Sequence, residues 1–269
     1  MKILIIVTST GTFANGKLAT GLWLSEFTHI YHSAKESGYD ITVANPKGGY
    51  TPIDPESLKP IFLDEMSEKY WEKPEFKKLL DHTNSLDNLL EQQFDCVYLA
   101  GGHGAMYDFP DNEALKTIVR KQDESGRIVS AICHGVSGLL NAKLSNGEYM
   151  IKGKKLTGFS WFEESLARRK EDVPFDLEAL LKERGADYEK ALIPVFADIG
   201  YQLAAAKRWV PYLQCSMGYS FAPEKDVNGG YFFNPTIDSK KSSVTTQFQL
   251  NWGFYFKRIP LECTKRQQF

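Results

Sequence analysis

The sequence predicts an α/β fold in which helices cover both faces of a mostly parallel sheet. Three observations lead to this prediction. Short apolar, β-branched runs alternate with longer helical segments, glycines close several of those segments, and polar residues follow several of the apolar runs directly. Strands that alternate with helices form βαβ units, and right-handed crossovers place the helices on both sides of one sheet.

The first part of the chain supplies two strands and the helix between them. Residues 3–7 form an apolar, β-branched run that predicts strand one, and residues 41–44 predict strand two. Between them, residues 21–37 place apolar side chains roughly on one helical face, and Gly38 ends that helix. Residues 50–73 are rich in Pro, Asp, Glu and Lys. We expect an inserted segment there that contains short helices and acts as a lid or as a dimer element.

The alternation of strands and helices continues along the chain. We expect strands at 96–100, 128–132 and 156–159 and helices at 76–90, 112–125 and 176–184. In such sheets the chemistry lies beyond the carboxyl ends of the strands. Three polar elements fall at that edge: the loop that leads from strand one to Glu26, the glycine-rich loop 101–104, and the pair formed by Cys133 and His134.

The composition excludes several classes of protein. The chain has 269 residues, and its hydrophobic content of 42% and charged content of 25% are ordinary for a globular protein. A formal net charge of −2 gives no electrostatic argument for a nucleic acid or an anionic membrane. No segment approaches the roughly 18 apolar residues that a membrane span requires. We therefore expect neither a nucleic acid nor a membrane as a partner.

The cysteines and histidines indicate a cytoplasmic protein that needs no metal. The four cysteines form no CxxC pair, which predicts reduced thiols and a cytoplasmic location. The five histidines show no metal-ligand spacing. The apolar run at residues 3–7 is too short for a signal peptide, so we interpret it as a strand.

Cys133 lies where a buried strand turns into a segment of small residues that includes Gly135 and Gly138. A nucleophile at such a turn points out over the end of the sheet, and a helix N-terminus stabilises its thiolate. The alternative is a structural cysteine that packs like a small hydrophobe. His134 follows directly and supplies either a base or a backbone N–H for an oxyanion, and Gly102 is the candidate for a second N–H. The alternative for Gly102 is a plain turn that ends a strand.

Carboxyl groups elsewhere in the chain complete the predicted site. Glu26 lies within an otherwise apolar helical stretch and is either a solvated residue or a carboxyl that faces Cys133. Glu163 and Glu164 either favour the start of a helix through its dipole or orient the histidine. His103 contacts the substrate or caps its loop. Two readings therefore remain open for each of these residues.

Five motifs occur in the chain in a fixed order. They are residues 21–26, 44–49, 100–104, 131–135 and 156–159, which read GLWLSE, ANPKGG, AGGHG, AICHG and LTGF. Together they resemble the DJ-1/PfpI superfamily, specifically its Hsp31-like branch, which is related to class I glutamine amidotransferases. The resemblance covers about residues 1–191, which we predict to form one domain. Residues 192–269 form a C-terminal segment that does not match the family.

The resemblance implies a flavodoxin-like sheet, a homodimer and a cofactor-free reaction. Members of this branch are described as glutathione-independent glyoxalases that convert the small aldehyde methylglyoxal to lactate, and protein deglycase activity is also described. Carried over by position, Cys133 is the nucleophile and His134 its histidine neighbour. Glu26 hydrogen-bonds the cysteine, and Glu164 orients the histidine. The thiol would add to the aldehyde to give a hemithioacetal, with Gly102 and His103 as the oxyanion or substrate contacts.

Two other functions use the same residues. One is a stress-response holding chaperone or a cysteine redox sensor, in which Cys133 is oxidised and no turnover is needed. An exposed apolar patch near residues 50–73 would favour it. The other is a cysteine peptidase or amidase, which requires an open cleft over Cys133.

Overall fold

The protein is built on a five-stranded parallel sheet with the strand order β3-β2-β1-β4-β5. A computed structural model describes residues 1–189, 195–203 and 209–217. The strands of the main sheet are β1 (Lys2–Ile6), β2 (Asp40–Asn45), β3 (Asn84–Ser85), β4 (Cys96–Leu99) and β5 (Ile128–Ala131). The chain enters the sheet at its centre and then builds outward on both sides, which confirms the predicted α/β class.

Helices cover both faces of this sheet. They are α1 (Leu24–Glu36), α2 (Glu65–Trp71), α3 (Pro74–Asp81), α4 (Ala105–Asp108), α5 (Glu113–Glu124), α6 (Trp161–Ala167) and α7 (Leu177–Glu183). Short 3₁₀ helices span Pro55–Leu58, Leu86–Leu89 and Cys133–Leu139. None of the helices in the described part of the chain is long and apolar enough to cross a membrane.

Two hydrophobic clusters lie on opposite faces of the sheet, and β1 contributes to both. Ile3 and Ile5 pack with Phe27 of α1 on one face. Leu4 and Ile6 pack with α4, α5 and the 3₁₀ helix after β5 on the other. Successive side chains of a strand point to opposite faces. A strand that is buried on both faces therefore reads as the continuous apolar run seen at the start of the sequence.

The structure corrects four of the predicted elements. The helix predicted at 76–90 is instead α3, followed by β3 and a 3₁₀ helix. Thr83 forms a β-bridge with Gly49, and the two residues of β3 pair with the end of β2. Polar residues with short side chains disfavour a helix here, because their side chains compete for backbone hydrogen bonds. The helix expected after Cys133 is 3₁₀.

The other two corrections concern element bounds. The helix predicted from residue 21 begins at Leu24, because Leu22 is hydrogen-bonded in both directions to residues 52–54 and Trp23 donates to Gly101 O. The strand predicted at 156–159 shrinks to β6 (Lys155–Leu156), which pairs with β7 (Asp187–Tyr188) outside the main sheet.

The inserted segment 50–73 contains short helical elements, as expected, and lies against α1. Leu22 N–H donates to Pro52 O at 2.8 Å, and Asp54 N–H donates to Leu22 O at 2.9 Å. Thr28 of α1 and Ser67 of α2 share a buried hydrogen bond at 2.6 Å. These contacts tie the segment to the helix that carries Glu26.

Beyond residue 189, the described residues form β8 (Val195–Leu203) and β9 (Trp209–Met217), which pair antiparallel in a sheet of their own. The rest of the C-terminal segment predicted at 192–269 lies outside the described residues. The predicted division of the chain near residue 191 therefore stays a prediction.

The close approach of the 3₁₀ helix to β4 depends on Gly135. A Cβ at this position would overlap the carbonyl oxygen of Leu99, which is backbone and cannot move aside. We expect Gly135→Ala to destabilise the protein by about 1–3 kcal/mol, as other overpacked sites do. Gly158→Ala is the matched control, because its Cβ would meet its neighbours at an ordinary 3.4 Å. Urea unfolding of both variants checks this, and equal stabilities would contradict it.

Candidate active site

Cys133 lies at the carboxyl end of β5, where the strand turns sharply into a 3₁₀ helix. Its φ is +54°, in the left-handed region that residues other than glycine rarely adopt. Strained backbone of this kind costs of order 1–3 kcal/mol and is found mostly at functional sites. The sharp turn brings the side chain of Cys133 back toward that of its neighbour, and Sγ lies 3.3 Å from His134 Nδ1. The side chains of these two adjacent residues therefore point toward each other.

Glu164 contacts the other side of the His134 ring. Its Oε1 lies 2.7 Å from His134 Nε2, and both side chains are almost fully buried. Glu163 has a different contact: it forms a capping box with Ser160 at the start of α6. The capping box fixes how α6 begins, and so turns the next residue, Glu164, inward. Of the two adjacent glutamates, Glu164 is therefore the one that contacts the histidine.

His103 also contacts Glu164. Its Nε2 lies 3.1 Å from Glu164 Oε2, so the two histidines take one carboxylate oxygen each. The two imidazole rings pack at a tilt with centroids 4.2 Å apart, and the Phe159 ring packs at a tilt against His134 at 4.4 Å. His103, His134 and Glu164 offer three donor atoms within 4.8 Å of one another, which is a ligand set that Zn²⁺ could use. Both Nε2 atoms are, however, already paired with the carboxylate.

Glu26 reaches Cys133 from α1. Its carboxyl hydrogen-bonds the Cys133 side chain and accepts the N–H of Gly101 at 2.7 Å. Only glycine fits at position 101, because a Cβ would lie 2.5 Å from Glu26 Oε2 and 2.9 Å from His134 N. Gly102 has a φ of +96°, and a Cβ there would overlap the backbone of Gly21. The glycine pair therefore lets three backbone segments meet beside the sulfur.

Burial shifts the pKa of each group that flanks the sulfur. It raises the pKa of Glu26 to about 8, against the opposing hydrogen bonds from Cys133 and Gly101. It also raises the pKa of Cys133 well above its usual value, with further increases from the nearby carboxyls of Glu26 and Glu163. At neutral pH the resting site therefore holds a thiol and a protonated carboxyl.

The pKa values of His134 and Glu164 are lowered instead. Burial, together with the charge that His103 can carry, lowers the pKa of His134 to about 4. Burial alone would raise the pKa of Glu164, but the hydrogen bonds from His103 and His134 together outweigh it and lower this pKa to about 2. His134 is therefore a neutral base beside an ionised carboxylate. The ionised Glu164 only accepts hydrogen bonds, so His134 carries its proton on Nε2 and leaves Nδ1 free to accept from the thiol.

The structure brings the sequence-predicted site residues together at one edge of the sheet. The contacts form a chain that runs from Glu26 to Cys133, then to His134 and Glu164, and ends at His103. The catalytic roles of these residues remain predictions, as do the oxyanion or substrate-binding roles of Gly102 and His103. Sequence reasoning missed the packing role of Phe159, although this residue lies in one of the five motifs. The signal for it was an aromatic residue at the end of a short predicted strand.

The raised pKa of Cys133 leads to a prediction about its reactivity. We expect the rate of its alkylation by iodoacetamide to keep rising above pH 9, because the thiolate is the nucleophile. Glu26→Gln removes a neighbouring charge and a hydrogen bond that both raise this pKa. The alkylation profile of that variant should therefore shift to lower pH. Peptide mass spectrometry separates Cys133 from the other thiols, and an unshifted profile in Glu26→Gln would count against the geometry.

Comparison with known proteins places the chain in a family. Over 170 residues it is 30% identical to Glyoxalase 3 of Candida albicans, covering 62% of this chain and 72% of that protein. Over 198 residues it is 28% identical to the glutathione-independent glyoxalase hsp3101 of Schizosaccharomyces pombe, covering 70% of this chain and 80% of that protein.

Solved structures agree with this placement. The crystal structure of the 24 kDa Rapid Encystment Protein of Francisella tularensis matches with a TM-score of 0.68 and 35% identity, over 75% of this chain and 88% of that one. The structure of glyoxalase III from Candida albicans matches with a TM-score of 0.64 and 26% identity, over 74% and 87%. The model of the DJ-1/PfpI family matches residues 18–175, more than half of the sequence. The chain therefore belongs to the DJ-1/PfpI family, in its Hsp31-like branch.

Proposed function

We propose that this protein is a glutathione-independent glyoxalase that converts methylglyoxal and water to lactate. The observation that carries this proposal is that Cys133 Sγ contacts both the base His134 and the protonated carboxyl of Glu26. A thiol, a base and an acid at one atom are what the addition of a thiol to an aldehyde requires. The glyoxalase names of the relatives in Candida albicans and Schizosaccharomyces pombe support the same reaction.

The first step joins the sulfur to the aldehyde carbon. His134 Nδ1 takes the proton from Cys133 Sγ while the sulfur attacks the carbonyl carbon, and Glu26 gives its proton to the carbonyl oxygen. The product is a hemithioacetal beside an imidazolium and a carboxylate. The His134 amide, which hydrogen-bonds the sulfur, and the Gly102 amide would stabilise the negative charge that develops on this oxygen. Glu164 stabilises the imidazolium, because it is ionised and lies 2.7 Å from Nε2.

The second step moves hydrogen between the two carbons. Glu26, now ionised, removes the proton from the carbon bonded to sulfur and gives an enediolate. It then returns that proton to the neighbouring carbon, while the imidazolium protonates the oxygen there. That transfer leaves His134 neutral. Loss of the proton of the other hydroxyl group to Glu26 then gives a lactoyl thioester. A carboxyl with a pKa of about 8 suits this shuttle, because it gives and takes protons readily near neutral pH.

Hydrolysis of the thioester completes the cycle. His134 removes a proton from a water molecule that attacks the thioester carbonyl, and the same proton returns to the leaving sulfur. Lactate leaves, and the Cys133 thiol is restored. No step uses a cofactor. Protein deglycase activity at the same cysteine, a homodimer and a cytoplasmic location are further parts of this proposal.

The holding-chaperone alternative has less support in the structure. The large apolar side chains exposed within 50–73 are Tyr50, at 64%, and Ile61, at 47%. Single exposed apolar side chains are ordinary on protein surfaces, so these two do not favour a chaperone.

Lactate formation from methylglyoxal without glutathione tests the proposal. We expect Cys133→Ala to be inactive and Glu164→Gln to lose about 10–100-fold in kcat, since the imidazolium loses its charged partner. Glu163→Gln is the matched control on the same helix, because Glu163 accepts from Ser160 in the capping box, whereas Glu164 is the residue that contacts His134 Nε2. It should keep most of the activity. Equal turnover by Cys133→Ala and the wild type would refute the mechanism.

The pH dependence tests the protonation states of the free enzyme. His134 has a pKa of about 4 and must be neutral, so kcat/KM should be lost only as the pH falls toward 4. Glu26 has a pKa of about 8 and must be protonated, so kcat/KM should also fall as the pH rises through 8. We expect a plateau between these limits in the wild type and loss of activity at every pH in Glu26→Gln, because an amide neither gives nor takes the proton. An activity that instead rises through pH 8 would mean that Glu26 starts the reaction ionised.

A further inference from the structure

We propose that His103 is a positioning residue that holds the second oxygen of Glu164, and so keeps His134 in the one tautomer and orientation that serve Cys133. Only the activity measurement described below depends on the proposed function. It assigns His103 a contact with the catalytic machinery rather than with the substrate.

The first observation is how the Glu164 carboxylate is shared. His134 Nε2 lies 2.7 Å from Oε1, and His103 Nε2 lies 3.1 Å from Oε2. An ionised carboxylate only accepts hydrogen bonds, so both Nε2 atoms must donate. Each oxygen therefore has one donor of its own, and the two donors together fix the plane of the carboxylate. With a single donor the carboxylate could rotate about its terminal torsion, which is broad and weakly restrained.

The second observation is that α6 offers Glu164 little support of its own. The helix has seven residues, and Phe162 and Leu166, which belong to it, are 64% and 61% exposed. Its start is capped by the box of Ser160 and Glu163 and its end by backbone N–H groups that follow Leu166, and these bonds hold the backbone but not the carboxylate of Glu164. A carboxylate on so short a helix needs a partner from another element to hold it to the tolerance that catalysis requires.

The third observation is that His103 itself is held firmly. Its ring packs between Phe13, at 5.3 Å, and His134, at 4.2 Å. The backbone on either side is fixed, because a Cβ on Gly102 would overlap the backbone of Gly21 and one on Gly104 would lie 2.5 Å from Thr10 O. His103 is only 8% exposed, and its Nε2 is already committed to Glu164. A buried ring with an engaged donor suits a supporting role better than direct contact with a small aldehyde.

Three substitutions separate the hydrogen bond from the ring. Gln places an amide N–H₂ near the position of Nε2, so His103→Gln keeps the bond to Glu164. His103→Phe keeps an aromatic ring but has no donor. His103→Asn is the matched control for the amide, because its shorter side chain reaches only the position of Nδ1. Thermal unfolding of each variant checks that it remains folded.

The activity arm measures kcat and KM for methylglyoxal separately. We expect His103→Phe and His103→Asn to lose about 10–100-fold in kcat with KM changed less than about threefold, and His103→Gln to stay within about threefold of the wild type. A rise in KM at unchanged kcat would instead make His103 a substrate contact and overturn the proposal. Equal losses in His103→Gln and His103→Phe would overturn it as well.

The spectroscopic arm needs no turnover and is therefore independent of the proposed function. The imidazole ¹⁵N shifts of His134 report which ring nitrogen carries the proton. We expect the Nε2–H tautomer alone in the wild type and in His103→Gln, and a mixture of tautomers in His103→Phe. If the wild type forms no lactate but the tautomers behave in this way, the proposed function fails and the role of His103 stands. An unchanged His134 tautomer in folded His103→Phe refutes the role of His103.

Discussion

The left-handed backbone at Cys133 is the constraint on which the rest of the site depends. It ends β5 abruptly and turns the cysteine and histidine side chains toward each other, which an extended or helical backbone would not do. That turn needs space, and glycines supply it: Gly135 allows the following turn to pack against β4, and Gly101 leaves room for the Glu26 carboxyl. The strain at one residue is therefore offset by close packing over several neighbouring segments.

Charge in the site is arranged so that each buried group has a partner. Glu164 is ionised and lies between two imidazoles, whereas Glu26 is protonated and lies against the thiol and a backbone N–H. Two carboxyls of the same type thus hold opposite charge states, and the difference comes from their surroundings rather than from their chemistry. Glu164 has two side-chain donors that outweigh the cost of burial. Glu26 has weaker donors and remains dominated by burial.

Much of the fold was readable from local patterns. The apolar runs predicted the four longer strands of the main sheet within one residue or so, because strands buried on both faces are apolar throughout. The prediction of one helix at 76–90 was wrong. The apolar residues of this segment suit a helix, but Thr83 and Asn84 pair with residues at the edge of the sheet. Such pairing joins residues far apart in the chain, and local periodicity does not contain it.

The site, like the fold, was predicted in part from local sequence patterns and in part only from contacts between distant segments. The sequence by itself determined which residues were candidates and that they would meet beyond the carboxyl ends of the strands, because strands that alternate with helices run parallel and end at the same edge of the sheet. The resemblance to the family assigned Glu164 to His134, and the tertiary structure showed why Glu163 does not take that place. Only the tertiary structure decided that Cys133 and His134 converge and that His103 shares the carboxylate. These outcomes depend on a backbone dihedral angle, on a helix cap and on contacts between distant segments. All three are set by packing in three dimensions, and none is encoded in the spacing of residues along the chain.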